Sequence, residues 1–281
     1  MMITLAAMLG QIGLPGGGFG FGHGSIHGTG NPRPEVAAPE MPIGSNPAKK
    51  SIPVARMADM LLDPGTEYDF NGRTERYPEI RLVYWAGGNP YHHHQDLNRL
   101  RDAWEKPETI VVHEPWWTAT ARRADIVLPA TTTLERNDVG GSGRDRFIIA
   151  MQQAIAPVGE ARNDFDIFRE LAARLGYEEK FSEGRSEMTW LRAIYDRARG
   201  DNADQGVRLP DFDTFWATGY AEQPRPAKPF VLFEEFRADA RRHPLATPSG
   251  RIEIYSAKIA SFRYADSPAR PTWLPAYEWL G

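Results

Sequence analysis

The stretch from Ile80 to Pro129 constrains the fold more than any other part of the chain. Leu82-Val-Tyr-Trp-Ala86 is a short apolar run closed by Gly87-Gly88, the pattern of a buried strand and its turn. Helical spacing follows over 94–104, with Leu97, Leu100 and Trp104 on one face. Thr109-Ile-Val-Val112 reads as a second buried strand, 118–124 as a short helix, and Ile126-Val-Leu128 as a third strand stopped by Pro129. Parallel strands cannot be joined by a tight hairpin, so helices that alternate with strands at this spacing predict a parallel, right-handed α/β unit. The expected fold class is α/β, a Rossmann-like parallel sheet with irregular Gly/Pro-rich flanks.

The flanks are less regular. Near the amino end, Ile3, Leu5, Ala6, Met8, Leu9 and Ile12 cover most of a helix surface, and such a helix needs protein on every side. The glycine-rich segment 13–24 permits close backbone approach. Residues 28–53 hold six prolines, Pro32, Pro34, Pro39, Pro42, Pro47 and Pro53, and read as an extended strap, with a short helix over 53–62. Beyond the α/β stretch, 147–155 reads as a strand. A helix is predicted over 164–175, where Phe165, Phe168, Leu171, Ala172 and Leu175 share a face and Gly176 ends it. Another spans 187–198, with Met188, Leu191, Ile194 and Tyr195 inward. Short helices at 211–217 and 234–241, a turn at Thr247–Gly250 and an alternating strand over 251–255 complete the reading. The domain boundaries expected are 1–79, 80–200 and 201–281.

Composition removes several functions. The chain has no cysteine, which excludes a disulfide framework, a thiolate zinc site and a cysteine-ligated iron–sulfur cluster within it. The net charge is −4 and the charges are interspersed, so no basic stripe for nucleic acid is expected. The amino-terminal apolar run lacks a basic lead and is too short to span a bilayer, so no membrane role is expected.

Ligands of an open parallel sheet bind beyond the carboxyl ends of the strands, which singles out three loops. The first, 87–96, offers two glycines for close approach to a phosphate, then Asn89 and His92-His93-His94, with a helix amino end following. The second, His113-Glu-Pro115, places a carboxylate where a ribose diol or a guanine edge would suit it. The third, 129–138, carries Arg136, which could grip a phosphate or stack on a base. Each has a plainer alternative: surface histidines, a helix cap for Glu114, a local ion pair of Arg136 with Glu135 or Asp138. The three histidines are adjacent on a loop and are weak candidates for a metal site. Together the loops indicate a nucleotide-like ligand.

Trp85-Ala-Gly-Gly-Asn-Pro-Tyr-His-His-His-Gln-Asp-Leu-Asn98, Val112-His-Glu-Pro-Trp-Trp-Thr-Ala-Thr-Ala-Arg-Arg-Ala-Asp-Ile-Val-Leu-Pro-Ala-Thr131 and Leu134-Glu-Arg-Asn-Asp138 resemble the DMSO reductase family of molybdopterin oxidoreductases, in particular its biotin sulfoxide and trimethylamine N-oxide branch. Leu14–Gly22, Ala161–Phe168 and Thr247–Ser256 match in the same order, so the resemblance runs the length of the chain. It implies a bis(molybdopterin guanine dinucleotide) molybdenum cofactor, and two pseudo-symmetric α/β domains that bind one dinucleotide each. This chain would be mainly the second of them. Asn89 and His93 would touch the cofactor, His113 and Glu114 face the guanosine, Arg136 a phosphate or the guanine, and Asp166 the guanine edge. The Gly17-Gly18 turn would lie near the metal end. The resemblance further implies reduction of a small-molecule S-oxide or N-oxide, fed by an electron donor. The family's metal ligand would lie upstream of Met1 and its final barrel domain beyond Gly281, so no catalytic residue or metal ligand is expected here. The chain would be an interior fragment that works with the remainder of the enzyme and is inactive alone. The wording of 136–145 leans toward the biotin sulfoxide branch and hence the cytoplasm, with the periplasm as the alternative. Readings of another class are a non-catalytic nucleotide- or cofactor-binding module and an inactive truncated product.

Overall fold

A computed structural model describes residues 1–20, 37–141, 146–224 and 227–275. Parts of four expectations, at 21–24, 28–36, 142–145 and 276–281, lie outside the described residues. The chain divides into a terminal unit (Met1–Arg33, Asp69–Arg73 and Arg225–Gly281) and a sheet-bearing unit (Pro34–Tyr68 and Thr74–Pro224).

In the terminal unit, helix α1 spans Met2–Met8, shorter than the apolar run predicts, and buries only Ala6. Backbone contacts hold the turns that follow it. Arg237 donates to the carbonyls of Gly10 (2.6 Å) and Ile12 (3.1 Å). Gly13 sits at φ +80°, where a Cβ would lie 2.6 Å from the Phe233 carbonyl oxygen, so only glycine fits.

The sheet-bearing unit opens with a 3-10 turn, Val54–Arg56, that runs into α2, Met57–Leu62. Strands β1, Glu67–Phe70, and β2, Arg73–Arg76, form a hairpin whose tip, Asp69–Arg73, belongs to the terminal unit. It turns at Asn71-Gly72, both with positive φ, a pair suited to a hairpin turn of this kind. The predicted parallel sheet follows: β3 Leu82–Ala86, then helices α3, Pro90–His93, and α4, Leu97–Trp104, then β4 Thr109–His113 and β5 Ile126–Leu128. The strand order is β3-β4-β5 and every pairing is parallel, with Ala86, His113 and Leu128 in register at the carboxyl edge. β4 is the central strand and is buried from Ile110 to His113, whereas the edge strand β3 is only partly buried. Leu100, Ala103 and Trp104 of α4 pack with Leu61, Ile110 and Val112 into one core. The helix predicted from 94 starts at Leu97, because Asp96 takes a left-handed conformation and its side chain caps the Arg99 amide at 3.0 Å. The helix predicted over 118–124 reduces to a 3-10 turn, Ala121–Arg123.

A second sheet was not anticipated. β6 Asp138–Gly140, β7 Phe147–Met151 and β8 Tyr220–Glu222 pair antiparallel in the order β6-β7-β8. The strand predicted to 155 therefore ends at Met151, and it belongs to this sheet. Helices α5 Asp164–Arg174, α6 Glu178–Ser182, α7 Glu187–Asp204 and α8 Phe212–Thr218 accompany it. Leu191, Ile194 and Tyr195 point inward as predicted, and with Ile148, Phe212, Phe215 and Ala221 they form the second core. Tyr195 and Phe215 stack at 4.1 Å in its centre.

Back in the terminal unit, α9, Glu234–Ala238, and α10, Ala257–Phe262, are short. The Thr247–Gly250 turn closes with a 2.9 Å bond. Residues 251–255 alternate in sequence but form no strand; Ile252, Ile254 and Tyr255 are exposed, with no neighbouring strand to pair with among the described residues. Among the described residues no helix is long and apolar enough to cross a membrane, and no group of acids and histidines could hold a metal ion.

Candidate functional site at the carboxyl edge of the parallel sheet

The register brings the first two predicted loops and the start of the third to one edge. After β3, Gly87 and Gly88 sit at φ +77° and +91°, and a side chain at Gly88 would press on the Trp85 indole nitrogen at 3.3 Å. Asn89 then turns its side chain across to the loop after β4. Its Oδ1 accepts the Thr120 hydroxyl at 2.6 Å and the Thr120 amide at 3.3 Å. Tyr91 donates its amide to the same hydroxyl oxygen, and Arg123 lies over the Tyr91 ring at 4.5 Å. Loops one and two are thus a stitched pair. His93 ends α3 exposed beside His94, ring centroids 5.7 Å apart. Burial, and then His93, hold His94 below the ordinary imidazole range. The helix amino end expected to meet a phosphate here is already capped by Asp96.

His113 is turned inward and is 1% exposed. Its Nδ1 meets Asp164 at 2.7 Å and its Nε2 meets the Tyr84 hydroxyl at 2.7 Å. A carboxylate only accepts, so in the neutral ring Nδ1–H donates to Asp164 and Nε2 accepts from Tyr84. Phe168 stacks on the imidazole at 4.8 Å. Burial, and then the charge of Asp164, push the Tyr84 hydroxyl up. This triad, buried at its imidazole and half-exposed at Asp164, fastens the first turn of α5 to the end of β4 and leaves the His113 ring no free nitrogen.

Glu114 braces its own loop. Its carboxylate accepts the Trp116 amide at 3.4 Å and the Thr118 hydroxyl at 3.5 Å, and its amide donates to Leu128. In the third loop, Thr131 donates its amide to Arg162, which in turn donates to Pro129. Arg136 donates to the Thr131 carbonyl at 2.9 Å and pairs with Asp138 at 3.2 Å, the local pairing that its neighbours offered. Glu135 accepts three bonds of 2.7 Å, from the Thr132 amide and hydroxyl and the Val158 amide, which hold its carboxyl below the ordinary range. Asp166 lies in the first turn of α5, half-buried, paired with Arg169 at 3.1 Å. Gly17 and Gly18 belong to the terminal unit; Gly17 donates to Leu14 and Gly18 sits at φ +83°.

Two buried polar atoms at this edge lack a partner: the Trp85 indole nitrogen beside the Gly87-Gly88 turn, and the Thr131 hydroxyl at the start of the third loop. Buried donors without acceptors are costly. Neither side chain stands out in the sequence as a site residue, and the same holds for Tyr84, Thr120 and Asp164. The signals present were the Tyr84 position three residues before the glycine turn and the Asn163-Asp164 helix start.

The chain matches the family model "Molybdopterin oxidoreductase" over residues 1–174. It is 53% identical to biotin sulfoxide reductase of Cereibacter sphaeroides over 99% of this chain and 38% of that protein. Identity to the dimethyl sulfoxide/trimethylamine N-oxide reductase of Rhodobacter capsulatus is 47%, over 100% of this chain and 36% of that one. For the trimethylamine-N-oxide reductase of Haemophilus influenzae it is 44%, again over 100% and 36%. The chain therefore spans little more than a third of the length of these relatives. Among solved structures, acetylene hydratase from Pelobacter acetylenicus overlaps 70% of this chain and 24% of its own, with TM-score 0.45 and 23% identity. The family model covers more than half of the sequence, and near-complete alignment to these reductases agrees with it: the chain belongs to the molybdopterin oxidoreductase family.

Proposed function

We propose that the carboxyl edge of the parallel sheet holds one guanine dinucleotide of a bis(molybdopterin guanine dinucleotide) molybdenum cofactor, in an enzyme that reduces S-oxides or N-oxides. The observation that carries this reading is the pair of unpartnered buried atoms, the Trp85 indole nitrogen near the end of β3 and the Thr131 hydroxyl at the start of the third loop, at one ligand-type edge. A polar ligand would satisfy them. Glu114 and Asp166 are acceptors, which suits the ring N–H and amino donors of a guanine edge better than a phosphate. His93 is exposed toward solvent and is the group for phosphate oxygens. Asn89 fixes the relation of the first two loops, and His113 fixes that of β4 to α5. Arg136 steadies the third loop through Thr131.

When bound, the molybdenum centre supplies the two-electron chemistry: an oxide, two electrons and two protons give a sulfide or amine and water. The residues of this chain bind and orient. The chain works with the remaining domains of the enzyme and an electron donor, in the cytoplasm. By itself it gives no turnover of biotin sulfoxide or trimethylamine N-oxide with a reduced viologen.

The test is nucleotide content. The chain is purified from a molybdate-fed host that makes the guanine form of the cofactor, then hydrolysed in dilute acid. Stoichiometric GMP is expected. A folded chain that releases no nucleotide, or releases CMP instead, contradicts the reading.

A further inference from the structure

We infer that Trp116 and Trp117 form the stacking surface for the purine base at this edge, an inference that rests on the function proposed above. Both indoles are 68% exposed. Trp104 and Trp190 of the same unit are buried in its two cores, and Trp85 and Trp216 pack against them. An exposed adjacent pair is therefore a departure from how this unit treats its tryptophans.

The pair is held out on a braced loop. Glu114 is tied by its amide to the end of β5, and its carboxylate accepts the Trp116 amide. Thr118 donates its amide back to the Trp116 carbonyl at 2.8 Å, and its hydroxyl accepts the Ala121 amide at 3.2 Å. A large π-surface on a fixed backbone loses little freedom when a flat ring settles on it. Every base has a π-face, and stacking on an aromatic side chain is a sequence-tolerant source of affinity. The neighbouring Glu114 carboxylate adds the discrimination: guanine offers it a ring N–H and an amino group, and adenine offers no such pair. A protein surface covering the indoles would give neither a base requirement nor a purine preference.

The test uses calorimetric titration of the whole chain with GMP, AMP and ribose 5-phosphate. Wild type is expected to bind GMP more tightly than AMP, and ribose 5-phosphate weakest. The double variant Trp116→Ala/Trp117→Ala should lose GMP affinity by about ten-fold or more, keep its ribose 5-phosphate affinity, and keep its melting temperature, since neither indole is packed. Trp116→Phe/Trp117→Phe should restore most of the loss. The single variants divide the effect between the two rings. Equal GMP affinity in wild type and the alanine pair overturns the stacking role while the nucleotide site stands. Equal binding of GMP and ribose 5-phosphate by wild type overturns it too. Failure of wild type to bind any of the three overturns both this inference and the proposed function.

Discussion

The two units of the chain are stabilised by different means. The sheet-bearing unit contains both apolar cores, one between α4 and the parallel sheet, the other among α7, α8 and the antiparallel sheet. Among the described residues the terminal unit contributes none to either, and many of its large apolar side chains, Ile3, Leu5, Phe233, Ile252 and Tyr255 among them, are exposed. It keeps its shape through backbone accommodation and polar ties: Gly13 under Phe233, Arg237 on two carbonyls, and Gly72 donating to the Tyr264 hydroxyl at 3.1 Å. The lesson is that a ligand site needing fixed geometry has its support in the first unit, where burial is cooperative, and that the second is the softer element.

Core truncation should separate the units most widely. Tyr195 and Phe215 are both fully buried, so Phe215→Ala is expected to cost about 3–5 kcal/mol, a large part of a domain's stability of roughly 5–15 kcal/mol. Phe233→Ala removes a ring that is 45% exposed and should cost well under half of that. Urea unfolding followed by circular dichroism measures both. Equal losses would erase the distinction between the units.

The next effect in size is at the edge itself. His113→Ala strips Tyr84 and Asp164 of their shared partner and should cost about 2–3 kcal/mol. Amide exchange should rise in the first turn of α5 before it rises in α7. If exchange in α5 is unchanged, the triad does not tether that helix.

Gly13→Ala sharpens the view of the terminal unit. The new methyl meets the Phe233 carbonyl and the backbone is left-handed, so about 1 kcal/mol or more is lost there. Exchange should quicken at 10–14 and 233–238, with unfolding of the sheet-bearing unit unaltered. A shift of the main unfolding transition would show that the units share their stability.

The smallest effect is one of pH. The carboxyl of Glu135 is held below its ordinary value of 4.5 by the Thr132 and Val158 donors. A depressed carboxyl contributes stability that is complete above the unfolded value and is lost as pH falls through the folded one. Wild type should therefore weaken below about pH 4.5 more steeply than Glu135→Gln, measured by thermal unfolding across pH 3–7. Parallel profiles would remove Glu135 as the acid-sensitive brace of the third loop.

The parallel sheet was legible because its signal is local: three apolar runs separated by helix-length segments. The antiparallel sheet was not, since β6 and β8 have only three residues each and lie some eighty positions apart in sequence. Their pairing through β7 is a tertiary fact with no period to read. Alternation at 251–255 misled for the converse reason, as a strand needs a partner and none is present among the described residues. The edge loops were found from strand ends alone. The inward turn of His113 was not, because its partner Asp164 stands fifty-one positions away. The Asn71-Gly72 hairpin signal was in the sequence and was passed over.

Amide hydrogen exchange of the whole chain with and without GMP tests the central claim most directly. The account predicts protection at 87–96, 114–120 and 129–136, with α9 and residues 251–255 of the terminal unit unchanged. Protection confined to those two segments, or none at all, would contradict it.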